Sequence, residues 1–150
     1  MGGHRVWKTS HNITASKKCI RNVYCKGPRS HTDPMFSKLN ILKLQDIFLL
    51  NSLLFVHKLN NEMLPVSFDN FLTPLRNPNR SNGYELIKLK NDYLDKFPTF
   101  FLPKTWNDQK FILKLEASHK KFKKMVIEGF IDSYPSKVKC KDRACNDCFP

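Results

Sequence analysis

The chain is 150 residues long, 41% hydrophobic and 12% aromatic, and carries a formal charge of +13 from 26 Lys and Arg against 13 Asp and Glu. That length suits one domain of roughly 100–150 residues. Twelve Phe, four Tyr and two Trp can fill a core, and five Gly with nine Pro exclude collagen-like or low-complexity character.

No membrane or export segment is expected. The most apolar run, residues 47–56, is interrupted by Asn51 and Ser52 and falls far short of the roughly 20 residues of a span. The opening MGGHRVWKTSH has no apolar core of a secretory signal. The chain is therefore read as intracellular, nuclear or cytoplasmic, with its cysteines reduced rather than paired.

Residues 1–16 show no usable periodicity and are expected to form a loose arm. Cys19, Ile20, Val23 and Tyr24 recur at helical spacing among basic residues, which predicts a short helix over 17–24 that Lys26-Gly27-Pro28 ends. Thr32-Asp33-Pro34 is a helix start, a polar cap before an early Pro, with Met35, Phe36 and Leu39 on one face. A longer helix is predicted over 42–59. Its Leu44, Ile47, Phe48, Leu50, Leu53, Leu54, Val56 and Leu59 cover more than half the circumference, as in a core or partner-facing helix. Asn60-Asn61 is the expected stop, because Asn tolerates the left-handed conformation.

Leu64-Pro65 should open a brief turn through Phe68 and Phe71, and residues 74–83 read as a Pro- and Asn-rich loop. Pro98 and Pro103 are expected to break the aromatic run 97–106 into short turns. Ser118 can cap a final helix to about Tyr134, with Phe122, Met125, Val126, Phe130 and Ile131 inward and Lys120, Lys121, Lys123 and Lys124 elsewhere. The expected class is mainly α: a small helical domain over 17–134 with irregular aromatic-rich loops, at most a short β element near 84–90, and a basic, cysteine-bearing tail over 135–150.

The charge is clustered. Lys17, Lys18 and Arg21 head one basic stretch, Lys120, Lys121, Lys123 and Lys124 form a second, and Lys139, Lys141 and Arg143 belong to a third. Such patches suit the phosphate backbone of RNA or DNA, although solvated faces that aid solubility have the same composition. Catalytic signatures are missing: no two acidic residues are adjacent, and there is no G-x-S-x-G, P-loop or H-E-x-x-H.

Cys140, Cys145 and Cys148 place three thiols in nine residues among cations that favour the metal-binding thiolate. Zinc takes four ligands, so His119, Cys19, Cys25 or a partner chain would have to complete a zinc knuckle. Free thiols on a tail remain an equal reading. An iron–sulfur cluster of C-x4-C-x2-C spacing takes a further downstream Cys that does not follow here.

Taken in order, several segments resemble the C-terminal part of non-LTR (LINE-like, jockey-type) retrotransposon reverse transcriptases. They are Lys17-Lys18-Cys19-Ile20-Arg21, His31-Thr32-Asp33-Pro34-Met35-Phe36, Leu39-Asn40-Ile41-Leu42-Lys43-Leu44 with Asp46-Ile47, Asn60-Asn61-Glu62-Met63-Leu64-Pro65 with Phe68, Leu102-Pro103-Lys104-Thr105-Trp106-Asn107, Phe122-Lys123-Lys124 with Tyr134, and the cysteine-bearing end. The resemblance covers about residues 17–150 and implies a post-palm, thumb-and-tail segment of an RNA-directed DNA polymerase, a mobile-element protein. The family's metal-binding aspartates lie upstream of the matched part, so no catalytic residue is implied. The expected protein is a truncated, non-enzymatic fragment with residual sequence-nonspecific binding to RNA or DNA, and its former polymerase core is a further expected partner. A non-functional relic and a small zinc-binding adaptor are the alternatives.

Overall fold

The computed structural model describes residues 10–75, 83–86 and 97–134. It is mainly helical: α1 (Ser10–Val23), α2 (Asp33–Lys38), α3 (Leu44–Asn60), α4 (Pro98–Asn107), α5 (Phe111–Leu115) and α6 (His119–Asp132), with a 3-10 turn at Val66–Phe68. Of the β element expected near 84–90, residues 87–90 lie outside the described residues; at Tyr84 one antiparallel bridge to Pro74 is present. No helix among them is long and apolar enough to cross a membrane.

Two expectations are corrected. Residues 10–16, read as part of a loose arm, are instead the first turns of α1. Ile13 and Ile20 lie seven residues apart, two helical turns, so the apolar stripe starts earlier than the polar composition suggests. Pro98 and Pro103 do not split the aromatic segment: both lie in α4. Pro98 takes the first turn, where its missing N–H costs nothing. Pro103 forfeits one backbone bond but is fully buried, beside the buried Leu102 and Trp106 in sequence. That burial offsets the loss.

α1, α2 and α3 end in the same way. The N–H groups of Lys26, Ile41 and Met63 reach back to the carbonyls of Arg21, Phe36 and Lys58 at 2.9, 3.1 and 2.9 Å. Inside each loop, Cys25, Asn40 and Glu62 bond to Asn22, Ser37 and Leu59. This is the Schellman arrangement. Its left-handed residue is Cys25 (φ 50°), Asn40 (φ 53°) or Glu62 (φ 53°), so after α3 that conformation falls on Glu62 rather than on an asparagine. Asn61 contributes through its side chain, Nδ2 donating to the His57 carbonyl at 2.7 Å.

The chain divides into two units, residues 1–47 with 127–150, and residues 48–126. In the first, Ile20, Met35, Phe36 and Tyr134 form the core, with Tyr24 and Ile131 packed against it. The Tyr134 hydroxyl donates to the Asp46 carboxylate and accepts the Lys43 N–H at 3.0 Å. Lys43 Nζ pairs with Asp33 at 3.0 Å and lies 4.1 Å from the Tyr134 ring centroid.

In the second unit Trp106, Phe122, Leu53, His57 and Val56 are fully buried. Phe122 stacks on His57 at 4.2 Å and lies 5.9 Å from Trp106. Phe55, Phe68 and Phe71 make an edge-to-face trio with centroids 5.8–6.0 Å apart, which ties the 3-10 turn to α3. Buried Ser52 is satisfied by donating to the Phe48 carbonyl at 2.9 Å. The Asn107 side chain accepts from Tyr84 N–H at 3.0 Å and donates to Tyr84 C=O at 2.8 Å, standing in for a neighbouring strand. Gly83 makes room for this clamp: a Cβ there would lie 2.7 Å from Leu75 Cδ1 and 3.0 Å from Asn107 Oδ1.

Candidate nucleic-acid interface

Two of the three basic clusters lie on helices. On α1, Lys17 and Lys18 are exposed and Arg21 is half-buried. Lys17 and Arg21 are four residues apart and share a face. Arg21 is partly committed to the fold, because its Nε donates to the Ser30 carbonyl at 2.9 Å. Cys19 and Cys25, weighed as zinc ligands, are exposed free thiols.

On α6, the inward stripe is Phe122 and Val126, both buried, while Lys120, Lys121, Lys123 and Lys124 are all exposed. Four cations in the first six residues of a helix are electrostatically costly. They face the positive end of the helix dipole, and like charges three or four residues apart repel by about 0.2–0.5 kcal/mol per pair. The first turn contains no acid. Glu116 reaches Lys121 at 3.7 Å, while its other oxygen accepts the Ser118 N–H at 2.9 Å. The arrangement opposes helix stability and suits an external polyanion.

The third cluster, Lys139, Lys141 and Arg143, lies outside the described residues, as do Cys140, Cys145 and Cys148. Among the described residues no three His, Cys, Asp or Glu side chains come together as a metal site.

Two features have no counterpart in the sequence reading. His57, in the last turn of α3, is 1% exposed, and its Nε2 lies 2.8 Å from the Glu116 carbonyl. A carbonyl only accepts, so Nε2 is the donating nitrogen and Nδ1 is the other polar atom of the ring. That Nδ1 has no hydrogen-bond partner, nor has the buried Nδ1 of His119, whose ring centroid is 5.6 Å away. His119 is held below the ordinary histidine pKa by burial, then by neighbouring Lys58, His57 and Lys123.

The second is a cavity of about 160 Å³ in the first unit, lined by Ile13, Ser16, Lys17, Phe36, Lys43 and Gln45, together with Asp33 and Leu44. Lys17 is visible as a charge in the sequence. Its meeting with the start of α3, 26 or more residues away, depends on two Schellman turns that no local pattern announces.

Family models, curated proteins and solved structures were each compared with the chain, and none matches it.

Proposed function

We propose that this chain is a C-terminal, post-palm segment of a non-LTR retrotransposon reverse transcriptase that has no polymerase chemistry of its own and binds RNA or DNA backbones without sequence preference. The ordered resemblance over residues 17–150 supports the origin. The observation that carries the binding is the exposed lysine group on α6, four cations placed where they weaken their own helix. Lys17 and Lys18 on α1 add to it, and the formal charge of +13 supplies long-range attraction.

Lysines that neutralise phosphates release counterions, so affinity should fall steeply and log-linearly with salt. The test is fluorescence anisotropy of labelled single- and double-stranded oligonucleotides across a salt series. Replacing Lys120, Lys121, Lys123 and Lys124 by Gln should flatten the slope by about 0.7–0.9 for each phosphate no longer neutralised. Binding that is absent, or insensitive to salt, would overturn the proposal.

One observation favours the relic reading instead. Leu44 and Ile47, at one end of α3, are 38% and 41% exposed, apolar surface of the kind left when a packing partner is removed. Strong dye binding with no cooperative thermal transition would support that reading. A zinc-binding adaptor would instead take up stoichiometric Zn²⁺ through Cys140, Cys145 and Cys148.

A further inference from the structure

The cavity in the first unit has a composition that the lysine clusters do not explain. Ile13, Phe36 and Leu44 give it apolar surface, with Phe36 almost fully buried. Ser16, Asp33 and Gln45 contribute a hydroxyl, a carboxylate and an amide, and Lys17 and Lys43 two ammonium groups. The two lysines are not equivalent. Lys43 is neutralised by Asp33 at 3.0 Å and held over the Tyr134 ring. Lys17 is exposed and makes no ion pair among the described residues.

A free phosphate is a poor occupant of the interior, because the apolar surface there desolvates it. A neutral planar heterocycle suits the same walls. Its faces lie against aliphatic and aromatic carbon, while its edge finds donors and acceptors on Ser16, Gln45 and Asp33. The volume selects further. At about 160 Å³ the cavity is smaller than a site for a drug-sized ligand, which suits a single ring. A phosphate attached to that base stays at the surface, within the reach of Lys17.

We infer that this cavity takes a single unstacked base of a single-stranded nucleic acid, with the adjoining phosphate on Lys17. The inference rests on the nucleic-acid reading above and deepens it: single strands, whose bases can be splayed out, are favoured over duplex of the same charge.

The test uses the full 150-residue chain and two labelled strands of equal length, about 15 units. One is an oligothymidylate; the other is an abasic strand with the same phosphates and no bases. The wild-type chain should bind the thymidylate about tenfold more tightly. Leu44→Trp, which fills the cavity, and Gln45→Ala, which strips its edge, should each abolish that preference while leaving abasic affinity within about twofold. Both positions are exposed in the first turn of α3, and circular dichroism verifies the fold of each variant. Equal affinity of the wild type for both strands, with salt dependence intact, overturns the base site but not the backbone binding. A preference that survives both substitutions also overturns the base site. Binding to neither strand overturns the proposed function itself.

Discussion

Tyr134 and His119 set opposite limits on the pH range of this fold. Burial, then donation to the Asp46 carboxylate, pushes the Tyr134 phenol above its ordinary value; burial alone raises Tyr84. A raised acid must stay protonated to keep its contribution. That contribution is intact below the unfolded tyrosine pKa of about 10 and is lost as pH rises through the folded value. For His119 the sign reverses. Its folded pKa is depressed, so the unfolded chain takes up the proton first. Stability is present above about pH 6.5 and is lost as pH falls through the folded value. Urea midpoints measured from pH 8 down to pH 5 should therefore decline, and His119→Gln should flatten the decline. A variant with the same slope as wild type would remove His119 as its source. Tyr134→Phe should lower stability by about 1–2 kcal/mol at neutral pH, because Asp46 and the Lys43 N–H lose a shared partner.

The helices owe much to how they end. After α3 the left-handed position is held by Glu62 at φ 53°, where a side chain costs energy that glycine avoids. Glu62→Gly should raise stability by about 0.5–1 kcal/mol, read as a higher urea midpoint at unchanged slope. Asn40→Gly should gain less, since Asn already tolerates that conformation. The opposite outcome is expected at Asn107. Asn107→Ala strands the N–H and C=O of Tyr84 together and should cost about 1–3 kcal/mol. These elements also mark what the sequence could reveal. Thr32-Asp33-Pro34, the apolar spacing of α3 and the Phe122/Val126 stripe of α6 are local patterns, and all three helices lie close to their expected bounds. α4 escapes a sequence reading because a proline inside a helix is judged by its missing bond, whereas the burial of Pro103 that offsets it is a tertiary fact. Asn107 reads as one polar residue beside Trp106; that its amide serves a backbone 23 residues away has no sequence signal.

At the scale of the molecule, the sum of charge matters less than its placement. A formal +13 spread evenly would mainly aid solubility. The four lysines at the start of α6 instead weaken the helix that presents them. The lysine-to-Gln quadruple variant should therefore lose oligonucleotide affinity while gaining thermal stability, a pair of opposite changes that generalised misfolding does not produce. The lysines are legible as candidates because charge is written in the sequence; their exposure away from the buried stripe follows from the 3.6-residue period. The cavity is not legible, since it forms from α1, α2 and the start of α3 only after two chain reversals. The glycines, finally, supply a test of descent. At Gly83 a Cβ would press on Leu75 Cδ1 at 2.7 Å and on Asn107 Oδ1 at 3.0 Å, so a neighbour must shift, whereas a Cβ at Gly27 or Gly129 would meet nothing within 4 Å. If the chain descends from the mobile element proposed above, neutral decay among sister copies would erode all three codons at the same rate. If selection has kept this fold, Gly83 should persist while Gly27 and Gly129 drift, and counting replacements at three positions would separate a retained protein from a fossil.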